Sequence, residues 1–379
     1  MASTVQQGRL TLIDLEAAHH VPTFAREVAA GLTAPSKRLP CRYFYDEAGS
    51  QLFDAICDLP EYYLTRTERE ILRRCAPEIA DRLPPVTLVE LGSGSAAKTR
   101  LLLDAFAARQ GRLRYVPVDI SRSALEESAR ALLAEYPQLE IVGLVAEYHD
   151  GLRYLRHLRA QQAQTVRRPA PGAGRDGSAP AGDAPTEATV EAEAPAGQPA
   201  GENTREYAGQ AQLILWLGSN VGNLERPEAA AFLRQVRETM SPADRLLVGI
   251  DLRKDRAILE PAYDDAQGVT ARFNLNLLAR INRELGGHFD LSAFEHRAIY
   301  NETAGRIEMY LVSRRAQRVR IDRLGIEVPF AAGEAIHTEN SYKYSLQEIE
   351  DLASAGALRV DRQWLDAGRR FSVNLLAPV

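Results

Sequence analysis

The chain has 379 residues, of which 45% are hydrophobic and 26% charged, and its formal net charge is -5. This length gives room for two domains, and the composition is ordinary for a soluble globular protein. The slightly acidic balance gives no reason to expect nucleic acid or an anionic membrane as a partner.

The first residues of the chain and the spacing of its cysteines indicate the cellular compartment in which the protein is expected. Residues 1–14 (MASTVQQGRLTLID) hold no apolar segment long enough for a signal peptide, and no run of about 18 apolar residues follows. Cys41, Cys57 and Cys75 show no CxxC spacing, and the histidines form no HExxH motif. We therefore expect a cytoplasmic protein with reduced, structural thiols and without a bound metal.

Apolar strands alternate with helical patterns between residues 87 and 251. The predicted strands are 87–91, 114–120, 140–148, 212–217 and 245–251, and the predicted helices are 97–109, 121–134 and 227–240. Strands as apolar as LILWL (213–217) are typical of a parallel sheet that helices cover on both faces. The sequence thus predicts an α/β fold.

One segment has a different composition. Residues 161–206 consist mainly of Pro, Ala, Gly and Glu, with almost no large apolar side chain. Such a segment buries too little surface to offset the entropy of ordering it. We predict a disordered insertion, most simply a flexible loop without a role of its own, with a partner-binding tail as the alternative.

After residue 251 the pattern changes. Residues 270–286 predict a helix, and residues 306–312 and 317–321 predict two antiparallel strands with a short connection. The tail, ALRVDRQW followed by FSVNLLA, predicts a hairpin that returns to the sheet. We therefore expect a second, smaller α+β domain made of residues 1–66 and 252–342, beside a larger domain made of residues 67–251 and 343–379.

The segment TLVELGSGSAAKTR (87–100) is typical of a nucleotide-binding loop between a strand and a helix. A P-loop requires glycine immediately before Lys-Thr, and Ala97 stands there instead. The dinucleotide pattern GxGxxA is satisfied by Gly92, Gly94 and Ala97, but this pattern is weak alone. An acid directly before the glycines, Glu90, and the hairpin at the end of the chain favour the S-adenosylmethionine loop of a Rossmann-like methyltransferase.

Polar residues also follow the next strands, at the edge where an open α/β sheet places its ligands. Asp119 suits ribose hydroxyls, and the pair Glu147 and Tyr148 suits the amine and ring of adenine. Lys98, in the first helical turn after the glycines, either reaches a ligand carboxylate or is a solvated surface lysine. The segment GSNVGN (218–223) is a polar turn below the transferred methyl group, or only a tight turn.

Five segments in the same order resemble the histidine-specific methyltransferases. They are PEYYLTRTEREIL (60–72), VELGSGSAAKTRLLLDAF (89–106), LGSNVGNL (217–224), AYDDAQGVTARFN (262–274) and HTENSYKY (337–344). The resemblance covers nearly the whole chain outside residues 161–206. It implies a Rossmann-like, class I methyltransferase sheet with a second, smaller α+β substrate domain.

The resemblance also implies the reaction and the cofactor. S-adenosylmethionine would supply three methyl groups in succession to the α-amine of L-histidine, and the product would be hercynine, an intermediate of ergothioneine biosynthesis. By position, Gly92, Lys98 and Asp119 would contact the cofactor. Glu147 and Tyr148 stand where the family has an Asp-Phe pair beside the adenine. We expect the protein to act as a monomer on this small-molecule substrate.

The imidazole end of the substrate is assigned by the same resemblance. Glu339 and Ser341 match the two residues that read the ring nitrogens, and Tyr62 matches a residue that contacts the imidazole. Neutral imidazole has one N–H donor and one bare nitrogen, so Glu339 can accept from the first while Ser341 or Tyr62 donates to the second. Indole has no ring acceptor, and the pair therefore favours histidine over tryptophan.

The other end is assigned likewise. Asn223 and Tyr263 match residues that hold the substrate carboxylate, and Tyr45 and Gly218 match positions that line the amine side. Tyr45 is a candidate for orienting the amine, and no residue is an evident base. Three alternatives stay open: a family member that acts on another amino acid such as a tryptophan derivative, an NAD-dependent oxidoreductase, and a non-catalytic binding module.

Overall fold

The computed structural model describes residues 3–15, 20–94, 96–167 and 210–379. The described strands are β1 (Ser3–Gln7), β2 (Leu10–Asp14), β3 (Val86–Leu91), β4 (Leu113–Asp119), β5 (Leu139–Val145), β6 (Ala211–Trp216), β7 (Arg245–Asp251), β8 (Phe294–Asn301), β9 (Arg306–Ser313), β10 (Gln317–Ile321), β11 (Ile326–Phe330), β12 (Ala335–Tyr342), β13 (Leu358–Leu365) and β14 (Phe371–Pro378). The described α-helices are α1 (His20–Thr33), α2 (Glu47–Cys57), α3 (Tyr63–Arg82), α4 (Thr99–Gln110), α5 (Arg122–Glu135), α6 (Tyr148–Arg167), α7 (Arg226–Thr239), α8 (Arg256–Leu259), α9 (Val269–Leu285) and α10 (Leu346–Ala355).

The largest sheet has nine strands in the order β1-β2-β5-β4-β3-β6-β7-β14-β13. The six strands from β2 to β7 in this order run parallel to their neighbours. By contrast, β14 runs antiparallel to β7, and β13 runs antiparallel to β14. The predicted parallel sheet and the returning hairpin at the end of the chain are therefore confirmed.

Helices cover both faces of this sheet, and each strand alternates its side chains between them. In β3, Leu88 belongs to the apolar core that α3, α4 and α5 form on one face, and its neighbour Val89 belongs to the core that α6, α7 and α10 form on the other. Successive side chains of a strand point to opposite faces, so a strand between two helical layers must be apolar throughout. All six residues of β3 are accordingly buried.

The connections place a crevice in the middle of the sheet. From β3 the chain proceeds through β4 to β5 on one side, and then returns to β6 and β7 on the other side of β3. The loops that follow β3 and β6 consequently diverge at their carboxyl ends. Open α/β sheets bind their ligands at such a switch point.

A smaller unit stands over this crevice. It contains the three-stranded sheet β12-β9-β8 and the hairpin β10-β11, and α9 packs against α2 and β8. Aromatic side chains join the layers, with the ring centroids of Phe44 and Phe273 4.6 Å apart. The Asp265 carboxylate accepts the N–H groups of Val269 and Thr270 and so caps the first turn of α9.

One predicted strand pairing and one domain assignment differ from the structure. Residues 306–312 and 317–321 are strands, but they belong to different sheets, because β8 and β12 already occupy both edges of β9 and leave no edge for β10. Residues 3–14, which were assigned to the smaller domain with the rest of 1–66, form β1 and β2 of the large sheet instead. The buried side chains of Leu10, Leu12 and Ile13 explain their attachment beside β5.

The predicted insertion at 161–206 also differs at its start. Helix α6 continues to Arg167, so the first residues of that segment are helical. The remainder, from residue 168 onward, lies outside the described residues.

Candidate active site

The predicted cofactor residues lie at the carboxyl ends of adjacent strands. Gly92 follows β3, Asp119 ends β4, Glu147 follows β5 and Gly218 follows β6. The N–H of Gly92 donates to the carbonyl of Val118 at 2.8 Å, which fixes the loop after β3 beside the end of β4. The topology therefore brings these loops to one edge of the sheet, as expected for a ligand crevice.

The glycine loop has a backbone that only glycine adopts without strain. Gly92 has φ +77°, and a Cβ atom there would lie 2.4 Å from the Tyr148 hydroxyl oxygen. The Asp119 carboxylate accepts the N–H of Gly94 and the N–H of Ser121, both at 2.9 Å. Burial raises the pKa of Asp119 above its usual value, and these backbone donors oppose the shift. The carboxylate keeps acceptor capacity for a further donor such as a ribose hydroxyl.

Glu90, the acid before the glycines, is buried beneath the glycine loop and binds residues of the neighbouring helix and strand. Its carboxylate accepts the Thr99 hydroxyl at 2.7 and 2.8 Å and also the Tyr115 hydroxyl. Burial raises the pKa of Glu90 to about 7, although both hydroxyls lower it. The side chain thus joins the end of β3 to α4 and β4, and it fixes where α4 begins.

Glu147 and Tyr148 have different surroundings. The Tyr148 ring is packed edge-on to Trp216, at a centroid distance of 6.4 Å, and lies 5.9 Å from Phe232. Glu147 faces a solvent-open cleft of about 670 Å³, where one of its carboxylate oxygens is 3.2 Å from the Nε of Arg42. This cleft also reaches Tyr45, so it connects the proposed adenine side with the amine side of the site.

Lys98 is held by a carboxylate that the sequence did not reveal. Its ammonium lies 2.5 Å from a carboxylate oxygen of Glu68, which is fully buried and also accepts the N–H of Gly218 at 2.9 and 3.0 Å. Glu68 therefore links the cofactor loop to the loop after β6. The sequence does contain an indication of this ion pair. Glu68 lies on the buried stripe of α3 with Leu64 and Ile71, and a charged side chain in such a position requires a partner.

All seven predicted substrate-site residues line one cavity between the sheet edge and the smaller unit. They are Tyr45, Tyr62, Gly218, Asn223, Tyr263, Glu339 and Ser341. The loop that carries Asn223 packs closely on β12, since a Cβ atom at Gly222 would lie 2.8 Å from the carbonyl oxygen of Tyr342. This close contact explains the second glycine of GSNVGN.

Glu339 offers a hydrogen-bond acceptor to this cavity. It lies in β12 directly after a register shift between His337 and Glu339, and such bulges redirect side chains. Among the described residues its carboxylate has no hydrogen-bond partner. Burial raises the pKa of Glu339 to about 7, and the positive charge of Lys343 opposes this shift. A carboxylate in this position gains most from a ligand that donates an N–H.

Ser341 and Tyr263 form a hydroxyl pair at the neighbouring wall. Their oxygens are 2.9 Å apart, and the ammonium of Lys343 donates to both, at 2.9 Å to Ser341 and 2.7 Å to Tyr263. Lys343 is fully buried and forms an ion pair with Asp251 at 2.9 Å. The sequence prediction missed this lysine, although Glu339, Ser341 and Lys343 alternate as residues on one face of a strand do.

Tyr45 belongs to an aromatic wall. Its ring is 5.5 Å from Phe53 and 5.8 Å from Phe273, both edge-on. Burial and the nearby Glu339 raise the pKa of Tyr45 well above its usual value. The phenol therefore stays protonated near neutral pH. It can orient an amine by hydrogen bonding, but it is not a base there.

The fold and the site together define a class. A parallel sheet that ends in an antiparallel strand, with a glycine loop at its switch point and an acid after the next strand, is the Rossmann-like, class I methyltransferase architecture expected from the sequence. A family model for histidine-specific, SAM-dependent methyltransferases matches residues 24–168 and 192–378. The chain belongs to this family and is an S-adenosylmethionine-dependent methyltransferase.

Individual proteins show the same relationship. The chain is 41% identical to the histidine N-alpha-methyltransferase of Mycolicibacterium smegmatis over 351 residues, which cover 92% of this chain and 93% of that protein. It is 40% identical to the protein of the same name from Mycobacterium tuberculosis over 353 residues, which cover 93% and 94%. Ergothioneine biosynthesis protein 1 of Neurospora crassa is 30% identical over 346 residues, which cover 90% of this chain and 33% of that protein.

Two further features concern the described part of the chain only. No helix within it is both long and apolar enough to span a bilayer. It also contains no group of three or more His, Cys, Asp or Glu side chains arranged to hold a metal ion.

Proposed function

We propose that this protein transfers three methyl groups in succession to the α-amine of L-histidine and so produces hercynine for ergothioneine biosynthesis. The observation that carries the proposal is the cavity itself. It presents the unpartnered Glu339 carboxylate together with the hydroxyl groups of Ser341 and Tyr62, which offer the acceptor and the donor that a neutral imidazole requires. The similarity to proteins named histidine N-alpha-methyltransferase supports the same substrate.

The two ends of the substrate are held by different groups. We assign the imidazole to Glu339 and Ser341, with Tyr62 beside them, and the carboxylate to Asn223 and Tyr263, all of which line the cavity. Fixing both ends of a small zwitterion restricts its α-nitrogen to a narrow region. Much of the catalysis then comes from positioning, which can supply several kcal/mol of the barrier.

The cofactor would be held along the sheet edge. The glycine loop at Gly92, the Asp119 carboxylate and the remaining donors of the Lys98 ammonium fit a ligand that has a ribose and a carboxylate. We assign Glu147 and Tyr148 to the adenine end. When bound, S-adenosylmethionine supplies a methyl group on a positively charged sulfur.

The chain's own residues prepare the amine for each transfer. The nitrogen needs a free lone pair, so one proton must leave before each round, three in all. Because burial raises the pKa of Tyr45, its phenol is protonated near neutral pH, and we assign Tyr45 and Gly218 to the orientation of the amine. Water takes the protons through the open cleft beside Tyr45. We propose that the protein works as a cytoplasmic monomer.

Product analysis by mass spectrometry tests this function. The purified protein is incubated with S-adenosylmethionine and an equimolar mixture of histidine and tryptophan. We expect histidine to gain up to three methyl groups, all on the α-nitrogen by fragmentation, while tryptophan is left unmodified. Methylation of tryptophan instead of histidine would transfer the proposal to the related amino acid, and the absence of any methylated product would favour a binding module.

A further inference from the structure

We propose that Lys343 is a positioning residue for the carboxylate end of the amino-acid substrate and acts through the hydroxyl groups of Tyr263 and Ser341. The inference rests on the proposed function and extends it to a side chain that lies behind the cavity wall. Lys343 follows β12 directly and is absent from the cavity lining, whereas both hydroxyl residues line the cavity.

The hydrogen-bond geometry around the ammonium is the first argument. An ammonium group has three N–H donors and no acceptor. In Lys343 these donors face the Asp251 carboxylate at 2.9 Å, the Tyr263 hydroxyl at 2.7 Å and the Ser341 hydroxyl at 2.9 Å. Every donor is therefore used, and none remains to contact a ligand.

The hydroxyl pair is the second argument. Tyr263 and Ser341 have one hydroxyl hydrogen each, and the 2.9 Å contact between their oxygens uses one of them. In the described part of the chain, the two oxygens have no other hydrogen-bond partner besides Lys343. Because the ammonium cannot accept, the second hydrogen is directed away from Lys343 and into the cavity. With Ser341 donating to Tyr263, this hydrogen belongs to Tyr263 and is available to the substrate carboxylate, and Tyr62 is then the donor to the bare imidazole nitrogen.

Charge is the third argument. Asp251 is fully buried and neutralises Lys343, but it also binds Lys254 at 2.6 Å and accepts the Tyr63 hydroxyl. Two cations thus share one carboxylate. Burial alone would lower the pKa of Lys343, yet Asp251 and Tyr263 keep it above its usual value, so the ammonium stays charged near neutral pH. A charged ammonium can only donate, so it fixes the direction of the hydrogen bonds at the hydroxyl pair, and a hydroxyl polarised in this way suits an anionic substrate group.

Histamine provides the probe because it is histidine without the carboxylate. The dissociation constants of histidine and histamine are measured by calorimetry in the presence of S-adenosylhomocysteine, and their ratio is compared between variants. Lys343→Met removes the donors and the charge at similar length. We expect the preference of the protein for histidine over histamine to fall at least about tenfold, with unchanged affinity for S-adenosylhomocysteine.

Lys254→Met is the matched control. It removes the other buried cation from Asp251 but leaves both hydroxyl contacts of Lys343, so the preference should stay within about threefold of the wild type. Lys343→Gln keeps an N–H donor without the charge and should restore part of the preference. If Lys343→Met does not fold, the Lys343→Gln variant tests the inference instead. A wild-type preference for histidine over histamine in Lys343→Gln would show that neither the charge nor the third donor of Lys343 contributes to carboxylate binding.

Failure of this inference differs from failure of the proposed function. A wild-type protein that binds neither histidine nor histamine contradicts the proposed substrate. A wild-type protein that prefers histidine, with the same preference in folded Lys343→Met, contradicts the role of Lys343 alone. An equal loss of preference in Lys254→Met would show that the charge of the whole cluster acts, not the hydroxyl contacts, and would also overturn the inference.

Discussion

Replacing Glu339 by glutamine should strengthen the fold and weaken substrate binding at the same time. The carboxylate faces the cavity without a hydrogen-bond partner among the described residues, and burial raises its pKa from 4.5 to about 7. An acid whose pKa is higher in the folded state opposes folding when it is ionised. Glutamine has the same shape but no charge, and it escapes this penalty.

The difference between a pKa of 4.5 and one of about 7 corresponds to about 3 kcal/mol. The side chain is partly exposed, and solvent screening reduces the expected gain to about 1–2 kcal/mol. The penalty is absent below pH 4.5, develops as the pH rises to about 7, and is complete above that value. The stability advantage of Glu339→Gln should therefore be present at pH 8 and absent near pH 4.5.

Thermal unfolding of both proteins across this pH range measures the stability effect, and calorimetry with S-adenosylhomocysteine present measures histidine binding. Glu339→Ala, which removes the acceptor, should weaken histidine binding at least about tenfold, and Glu339→Gln should lie between it and the wild type. Affinity for S-adenosylhomocysteine should not change. A pH-independent stability difference together with an unaltered histidine affinity would refute both the desolvated carboxylate and its role as imidazole acceptor.

Gly92→Ala should reduce S-adenosylmethionine affinity at least about tenfold in equilibrium dialysis, because the residue has φ +77° and its Cβ would meet the Tyr148 hydroxyl at 2.4 Å; normal affinity would remove the glycine loop from the cofactor site. Asn223→Ala should raise the KM for histidine about tenfold in steady-state assays while the KM for the cofactor is unchanged, and the reverse result would contradict the carboxylate assignment. kcat/KM for histidine should fall as the pH drops through about 7, where Glu339 becomes protonated, and a profile that is flat down to pH 5 would contradict this acceptor. Deleting residues 168–206 should change kcat less than about twofold, and loss of turnover in a deletion that still unfolds cooperatively would assign the segment a role.

The large sheet was predictable because its strands carry a local signal. Buried parallel strands must be apolar along their whole length, and the helices between them have their own periodicity, so the alternation is visible in the sequence. Strand pairing in the smaller unit was not predictable in the same way. Whether residues 306–312 pair with 317–321 depends on β8 and β12, which come from distant parts of the chain.

The candidate site also has a part that local sequence signals predict and a part that depends on contacts between distant segments. Six of the seven substrate-site residues lie in the short segments that carry the family resemblance, Tyr45 being the exception, and all seven converge in space. Glu68 and Lys343 support those residues from behind, and their partners, such as Gly218 and Asp251, come from distant loops. A buried charge on an apolar helix stripe or on the substrate-facing side of a strand is the sequence signal for such support.

A crystal structure with histidine and S-adenosylhomocysteine would test the central claim most directly, which is that the cavity holds both ends of the amino acid and leaves only the amine free. We predict the imidazole between Glu339 and Ser341, the carboxylate at Asn223 and Tyr263, and the α-nitrogen facing the cofactor sulfur. A reversed amino acid, or one whose nitrogen points away from that sulfur, would contradict the account.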